Sequence, residues 1–118
     1  MVVEDDAEMN ALECELLAAY GMRSVPAYSG TEALAVADRS KADAVLLDVM
    51  LPELDGFETC RQLRRQRGGR LPIVMVTALD TDDCRQRGYQ AGADAYFTKP
   101  FDPDEIISAL QVLMATTT

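Results

Sequence analysis

Residues 44–56 read AVLLDVMLPELDG. Four apolar residues run without a break, as in a central strand of a parallel sheet covered on both faces. An aspartate closes the run, and an idle carboxylate at the end of so apolar a strand is costly to bury. Asp48 is therefore a candidate for chemistry on its position alone. Asp55-Gly56 ends the stretch and predicts a tight turn into a helix, which gives Gly56 a structural role.

Working outward, short β-prone runs alternate with helical stretches five times. The runs are Met1–Val3, Met22–Ala27, Ala44–Leu47, Leu71–Thr77 and Ala95–Thr98. Pro26 makes the more polar second run an edge strand. Between the runs, Ala7–Tyr20 predicts a helix with Met9, Leu12, Leu16 and Tyr20 on its buried face and Gly21 as its C-terminal stop. Ser29 is placed to cap a helix holding Ala33, Leu34 and Ala37. Phe57, Cys60 and Leu63 repeat at helical spacing before Gly68-Gly69 ends the element. Asp82–Ala91 predicts a weaker helix, because Gly88 costs about 1 kcal/mol relative to alanine inside one. Asp102-Pro103 is a helix start, with Ile106, Ile107, Leu110 and Leu113 to bury. Strict alternation implies right-handed crossovers and helices on both faces of an open parallel sheet. Ala115–Thr118 is expected to be a tail or the start of a linker after a single domain over residues 1–114. A first run of three residues is short for a strand and suggests a chain trimmed at its N-terminus.

With 118 residues the chain fits one domain able to bury a core unaided. Twenty acidic against eleven basic residues give a net charge of −9, which argues against a nucleic-acid partner. Cys14, Cys60 and Cys84 form no CxxC pair and are expected as reduced thiols of a cytoplasmic protein, packed as small hydrophobes or exposed and inert. The chain contains no histidine, which removes the commonest general base and transition-metal ligand. No apolar run approaches membrane-spanning length. The arginines at 61, 64, 65, 67 and 70 are expected to form a solvated helix face rather than an anion site.

In open α/β sheets, ligands sit beyond the carboxyl ends of the strands. Glu4, Asp5 and Asp6 follow the first strand, Asp48 the third, Thr77 the fourth, and Lys99-Pro100 the fifth. Asp6 is expected to cap the first helix. The remaining carboxylates would repel unless a cation sat among them. Oxygen donors suit a hard cation such as Mg2+, with Mn2+ able to substitute. An aspartate can attack phosphorus to form an acyl phosphate, and Lys99 and Thr77 could bind the transferred oxygens.

Glu4-Asp5, LLDVMLPELDG around Asp48, VMVTA closing the fourth run and AGADAYFTKPF at the fifth together resemble the receiver domain of two-component response regulators. The likeness covers nearly the whole chain. It implies a flavodoxin-like, doubly wound sheet of five parallel strands in the order 2-1-3-4-5, with five helices. It implies Asp48 as the phosphoacceptor, Asp5 as a direct metal ligand, Glu4 acting through water, and the backbone carbonyl of Met50 as a third ligand. Thr77 and Lys99 would bind phosphoryl oxygens, Tyr96 would change rotamer on activation, and Lys99–Pro100 would be cis. The implied partners are a sensor histidine kinase or phosphotransfer protein as donor, and an effector domain or downstream protein meeting the face of the fourth helix, fifth strand and fifth helix. A phosphorylation-dependent homodimer is a further expectation. So is a long-lived phosphoform, because Met50 and Leu79 are apolar and cannot position water.

Three other readings compete. A haloacid-dehalogenase-type phosphatase would need a second acid two residues after Asp48, where this chain has Met50. A flavodoxin-like electron carrier would need a Ser/Thr/Gly-rich loop after the first strand, where three acids stand. A receiver-like fold that had lost phosphorylation would lack one of the required positions, and all are filled.

Overall fold

A computed structural model describes residues 1–116, with Arg70 described by its backbone only. In chain order the elements are β1 (Val2–Val3), α1 (Ala7–Ala19), β2 (Pro26–Ala27), α2 (Gly30–Arg39), β3 (Val45–Leu47), α3 (Gly56–Arg67), a single 3-10 turn (Gly68–Arg70), β4 (Ile73–Thr77), α4 (Asp82–Ala91), β5 (Ala95–Thr98) and α5 (Pro103–Thr116). All five strands are parallel, in the order β2-β1-β3-β4-β5. Pairing of Val3 with Leu47, Leu47 with Met75 and Met75 with Tyr96 keeps the strands in step. Their carboxyl ends therefore come out along one edge.

Alternation along each strand divides the core in two. Val3, Val45, Leu47, Ile73, Met75 and Tyr96 pack with Ala33, Val36, Phe57, Cys60, Leu63 and Ala91 of α2, α3 and α4. Val2, Leu46, Val74 and Val76 face the other way, against Leu17 of α1 and Ile106, Ile107 and Leu110 of α5. Each fully buried aliphatic side chain contributes about 1.5–3 kcal/mol relative to exposure. This two-sided covering explains why β3 is apolar throughout and β4 is apolar up to Thr77 at its end.

Side-chain caps start all five helices, with Asp102 accepting from the Asp104 amide at the start of α5. Asp6 accepts from the amides of Glu8 and Met9, Ser29 from Glu32, Asp55 from Glu58 and Thr81 from Cys84. α4 and β5 have the expected limits, while the second strand shrinks from Met22–Ala27 to Pro26–Ala27. Val25 still accepts a bond from the Val2 amide. α5 continues through Thr116, so Ala115 and Thr116 are helical. Thr117 and Thr118 lie outside the described residues.

The buried face of α1 differs from the expected one. Leu12 is 59% and Tyr20 45% exposed, whereas Asn10, Glu13 and Leu17 are buried. The helix phase is set at its start. Asp6 fixes the first turn, and the Asn10 amide donates to the carbonyls of Val2, Glu4 and Ala27, which turns that residue onto the sheet. Helical spacing then carries Glu13 and Leu17 inward with it.

The expected solvated arginine face is also corrected in part. Arg64 donates to the carbonyls of Gly92, Gly68 and Leu71 and pairs with Asp94 at 2.7 Å. Asp94 in turn accepts from the Ile73 amide. Arg67 donates to the carbonyls of Ala37 and Ala42. These two arginines satisfy carbonyls at helix ends and in the loops beside them.

Candidate functional site

The register of the sheet puts Glu4 beside Asp48 at the carboxyl edge, one residue past the Val3–Leu47 pair. Backbone bonds hold both in place: the Glu4 amide donates to Ala27, and the Asp48 amide donates to Val3. Lys99 reaches them from beyond β5, its amide tied to the Thr77 carbonyl and its bond to Pro100 cis. Its Nζ donates to Glu4 Oε1 at 2.7 Å and to Asp48 Oδ2 at 3.2 Å. Residues separated by 95 and 51 positions thus share one ammonium.

The remaining oxygens of the two carboxylates are also engaged. Asp48 Oδ1 accepts from the Met50 amide at 3.1 Å, and Glu4 Oε2 accepts from the Asp6 amide at 3.2 Å. Glu4 is 4% and Asp48 8% exposed. Burial raises the pKa of Glu4, and the hydrogen bond from Lys99 offsets only part of that rise. Burial alone would lower the pKa of Lys99, but the bond to Glu4 and the charge of Asp48 outweigh it and leave it above the ordinary lysine value. Lys99 is accordingly a cation at neutral pH, with its two acceptors turned towards the edge of the sheet.

Gly56 makes room for this arrangement. A Cβ there would lie 2.4 Å from the Asp48 carbonyl oxygen and 2.4 Å from Val49 Cα. No side chain can be accommodated at that distance without moving the backbone that carries Asp48.

Thr77 is fully buried at the end of β4, and its hydroxyl accepts from the Leu79 amide at 3.4 Å. The Leu79 carbonyl accepts from the Tyr96 hydroxyl at 2.7 Å. Leu79 therefore links both residues through its backbone, a role that its apolar side chain does not reveal. The Tyr96 ring is buried, with the Arg85 guanidinium 5.3 Å from its centroid. Arg85 also donates to the Tyr96 carbonyl. α4 can lie close to this ring because Gly88 has no Cβ, which would come 2.8 Å from Tyr96 Cδ2.

Asp5 lies on the exposed side of the β1–α1 loop, next to Asp6, and the Met50 side chain is 56% exposed. Among the described residues no three acidic, histidine or cysteine side chains converge closely enough to hold a metal by themselves. The cation lying between Glu4 and Asp48 is the Lys99 ammonium. Even so, the donor set is all oxygen and the carboxylates already hold a positive charge, which fits a hard cation completed by a backbone carbonyl, water and phosphoryl oxygens. Asn10 and Glu13 are the polar residues that reasoning from apolar periodicity missed. Their spacing of three, with Leu17 four further on, was the available signal.

A family model described as the response regulator receiver domain matches residues 1–111. The chain belongs to this family of receiver domains. Transcriptional regulatory protein TcrA of Mycobacterium tuberculosis is 44% identical over 113 residues, covering 96% of this chain and 44% of TcrA. The receiver domain thus spans less than half the length of that relative. Among solved structures, the receiver domain of Francisella response regulator 1452 superposes with a TM-score of 0.91 at 31% identity, covering 99% of this chain and 96% of that one. The BeF3-activated N-terminal receiver domain of Klebsiella pneumoniae RstA gives 0.89 at 38% identity, covering 96% and 95%. The five-stranded flavodoxin-like sheet of this receiver domain, in the order 2-1-3-4-5, is the fold of these neighbours.

Proposed function

We propose that this receiver domain is a switch that accepts a phosphoryl group on Asp48 and changes the face built by α4, β5 and α5. The observation that carries this reading is one ammonium, Lys99 Nζ, within hydrogen-bonding distance of carboxylates from two other strand ends. Asp5, Asp48 and the Met50 carbonyl, with Glu4 acting through water, are the groups that would hold Mg2+ or Mn2+. When bound, the ion would neutralise charge on the phosphoryl oxygens.

An oxygen of Asp48 attacks phosphorus as the bond to the donor breaks, giving an acyl phosphate and releasing the donor's leaving group. The donor is a phosphohistidine on a sensor kinase or phosphotransfer protein, or a small acyl phosphate. Lys99 moves its ammonium from the carboxylate to the oxygens of the transferred group. The Thr77 hydroxyl turns to donate to another of them. That turn breaks its bond from the Leu79 amide and loosens the backbone on which the Tyr96 hydroxyl rests. Two packings of Tyr96 are thereby coupled to two states of Asp48. The output is a binding surface for an effector domain, a downstream protein or a second copy of the chain.

A phosphatase of the aspartyl-phosphate type carries its second acid two residues after the nucleophile, where this chain has Met50. Met50 and Leu79 stand two residues beyond Asp48 and Thr77, and neither side chain can orient water, so the acyl phosphate is expected to persist. No helix is long and apolar enough to cross a membrane among the described residues, and the cytoplasm is the proposed location. Intact-mass analysis after treatment with acetyl phosphate tests the reading. One phosphoryl group should be gained with Mg2+ and none without it, and none by Asp48→Asn. An equal gain by Asp48→Asn would overturn it.

A further inference from the structure

α1 buries an acid that the mechanism above does not use. Glu13 is 5% exposed, and its Oε2 has no hydrogen-bond partner. It sits between Asn10 and Leu17 on the inward face of the helix. Leu17 belongs to the core cluster that holds Val74 and Val76 of β4 and Ile106 and Leu110 of α5, so the side of the helix next to Glu13 is apolar. The charged groups that act on it all belong to the phosphoacceptor site: Lys99 from beyond β5, Glu4 from the end of β1 and Asp48 from the end of β3. β2 offers only Pro26 and Ala27, and the inward residues of α5 are Ile106, Ile107 and Leu110. Along α1 itself, Cys14 donates to Asn10 rather than to Glu13.

We propose that Glu13 is a proton-responsive charge behind the phosphoacceptor site, whose ionisation loosens the hold of Lys99 on Asp48 and slows phosphorylation. This rests on the reading of Asp48 as phosphoacceptor. Burial pushes the Glu13 carboxyl up to about 7, with Lys99 pulling it down and Glu4 and Asp48 pushing it further up. Protonated, Glu13 is a neutral filler, and Lys99 faces only Glu4 and Asp48. Ionised, it adds another negative charge on the α1 side of Lys99. The ammonium is then drawn away from Asp48, and the added negative potential opposes an incoming phosphoryl anion. Both effects act in the same direction, and both belong to the physiological pH range.

The test compares wild type with Glu13→Gln, which keeps the shape of the neutral acid. Initial phosphorylation rates from acetyl phosphate at saturating Mg2+ are followed by intact mass. The wild-type rate should fall about fivefold between about pH 6 and about pH 8, the scale of one added charge outside contact distance. Glu13→Gln should stay flat over that range. A carboxyl 13C NMR titration supplies a second readout that does not depend on turnover. Glu13 should titrate near 7 and should move upward in Lys99→Met, because the ammonium lowers it. Parallel rate profiles in the two proteins would overturn the proposal. So would titration of Glu13 near 4.5, or a midpoint that does not move in Lys99→Met. A wild type that accepts no phosphoryl group at any pH would instead sink the phosphoacceptor reading, leaving the NMR titration to decide whether Glu13 and Lys99 are coupled.

Discussion

Replacing Glu13 with leucine should stabilise the domain at neutral pH, and most of that gain should be lost in acid. In the folded protein the carboxyl titrates at about 7, against 4.5 for an unperturbed glutamate. At about 1.4 kcal/mol per pKa unit, that gap of roughly 2.5 units is worth about 3 kcal/mol. The sign follows from proton binding. Between these two values the folded state holds a proton that the unfolded chain has released, so raising the pH favours unfolding. The stabilising protonation is complete below about 4.5, is lost progressively as pH rises through about 7, and contributes nothing further to the slope above that. Leucine carries no such dependence and adds buried apolar surface beside Leu17. Urea melts at about pH 5 and about pH 8 should show the variant gaining about 3 kcal/mol more at the higher pH, equivalent to about 10 °C in Tm for a domain of this size. Comparing the variant with wild type removes other titrating groups from the account. Among these is the Met1 ammonium, which burial lowers and which therefore acts in the opposite direction. A variant less stable than wild type at about pH 8, or a difference independent of pH, would show that Glu13 is solvated or paired after all.

Three further outcomes follow from the same geometry. Lys99→Met should leave Glu4 and Asp48 facing each other without a cation, costing about 2–4 kcal/mol at neutral pH; urea melts should show part of that loss regained in acid, as Glu4 takes up a proton, while intact-mass assays show the acetyl phosphate reaction abolished or nearly so. Arg64→Ala should cost about 2–3 kcal/mol by orphaning the carbonyls of Gly92 and Leu71 together with Asp94, measured by thermal unfolding, with a phosphorylation rate close to wild type in the protein that remains folded. Gly56→Ala should lose phosphorylation as well as about 2–4 kcal/mol, because the new methyl group must displace the backbone at Asp48; a folded Gly56→Ala protein phosphorylated at the wild-type rate would contradict the close approach.

The residues that could be found without coordinates are those whose meaning is local. Asp48 stands out because an acid closes an apolar strand, and Lys99 because it follows the fifth β-prone run. Parallel strands in step do the rest, since every strand end must emerge on the same edge. Ser29 and Asp6 were legible as caps for the same reason, the bond that each side chain makes lying within three residues. Arg64 could not be read this way. Its partners at Gly92 and Asp94 are 28 and 30 positions distant, and nothing in a run of arginines marks one of them as half-buried and bonded.

α1 failed for a different reason. Apolarity alone favours Met9, Leu12 and Leu16 as the inner face, yet the helix must enter from the strand end that carries Glu4. There the Asn10 amide meets the carbonyls of Val2, Glu4 and Ala27. An unmet buried carbonyl costs about as much as burying one more leucine gains, and the two hydrogens of the Asn10 amide are directed at this group of carbonyls. The phase of the helix is thus decided by polar satisfaction at its first turn, and Glu13 is drawn inward as a consequence. An acid that periodicity would assign to solvent comes to lie behind Lys99, and the same rotation turns Leu12 outward.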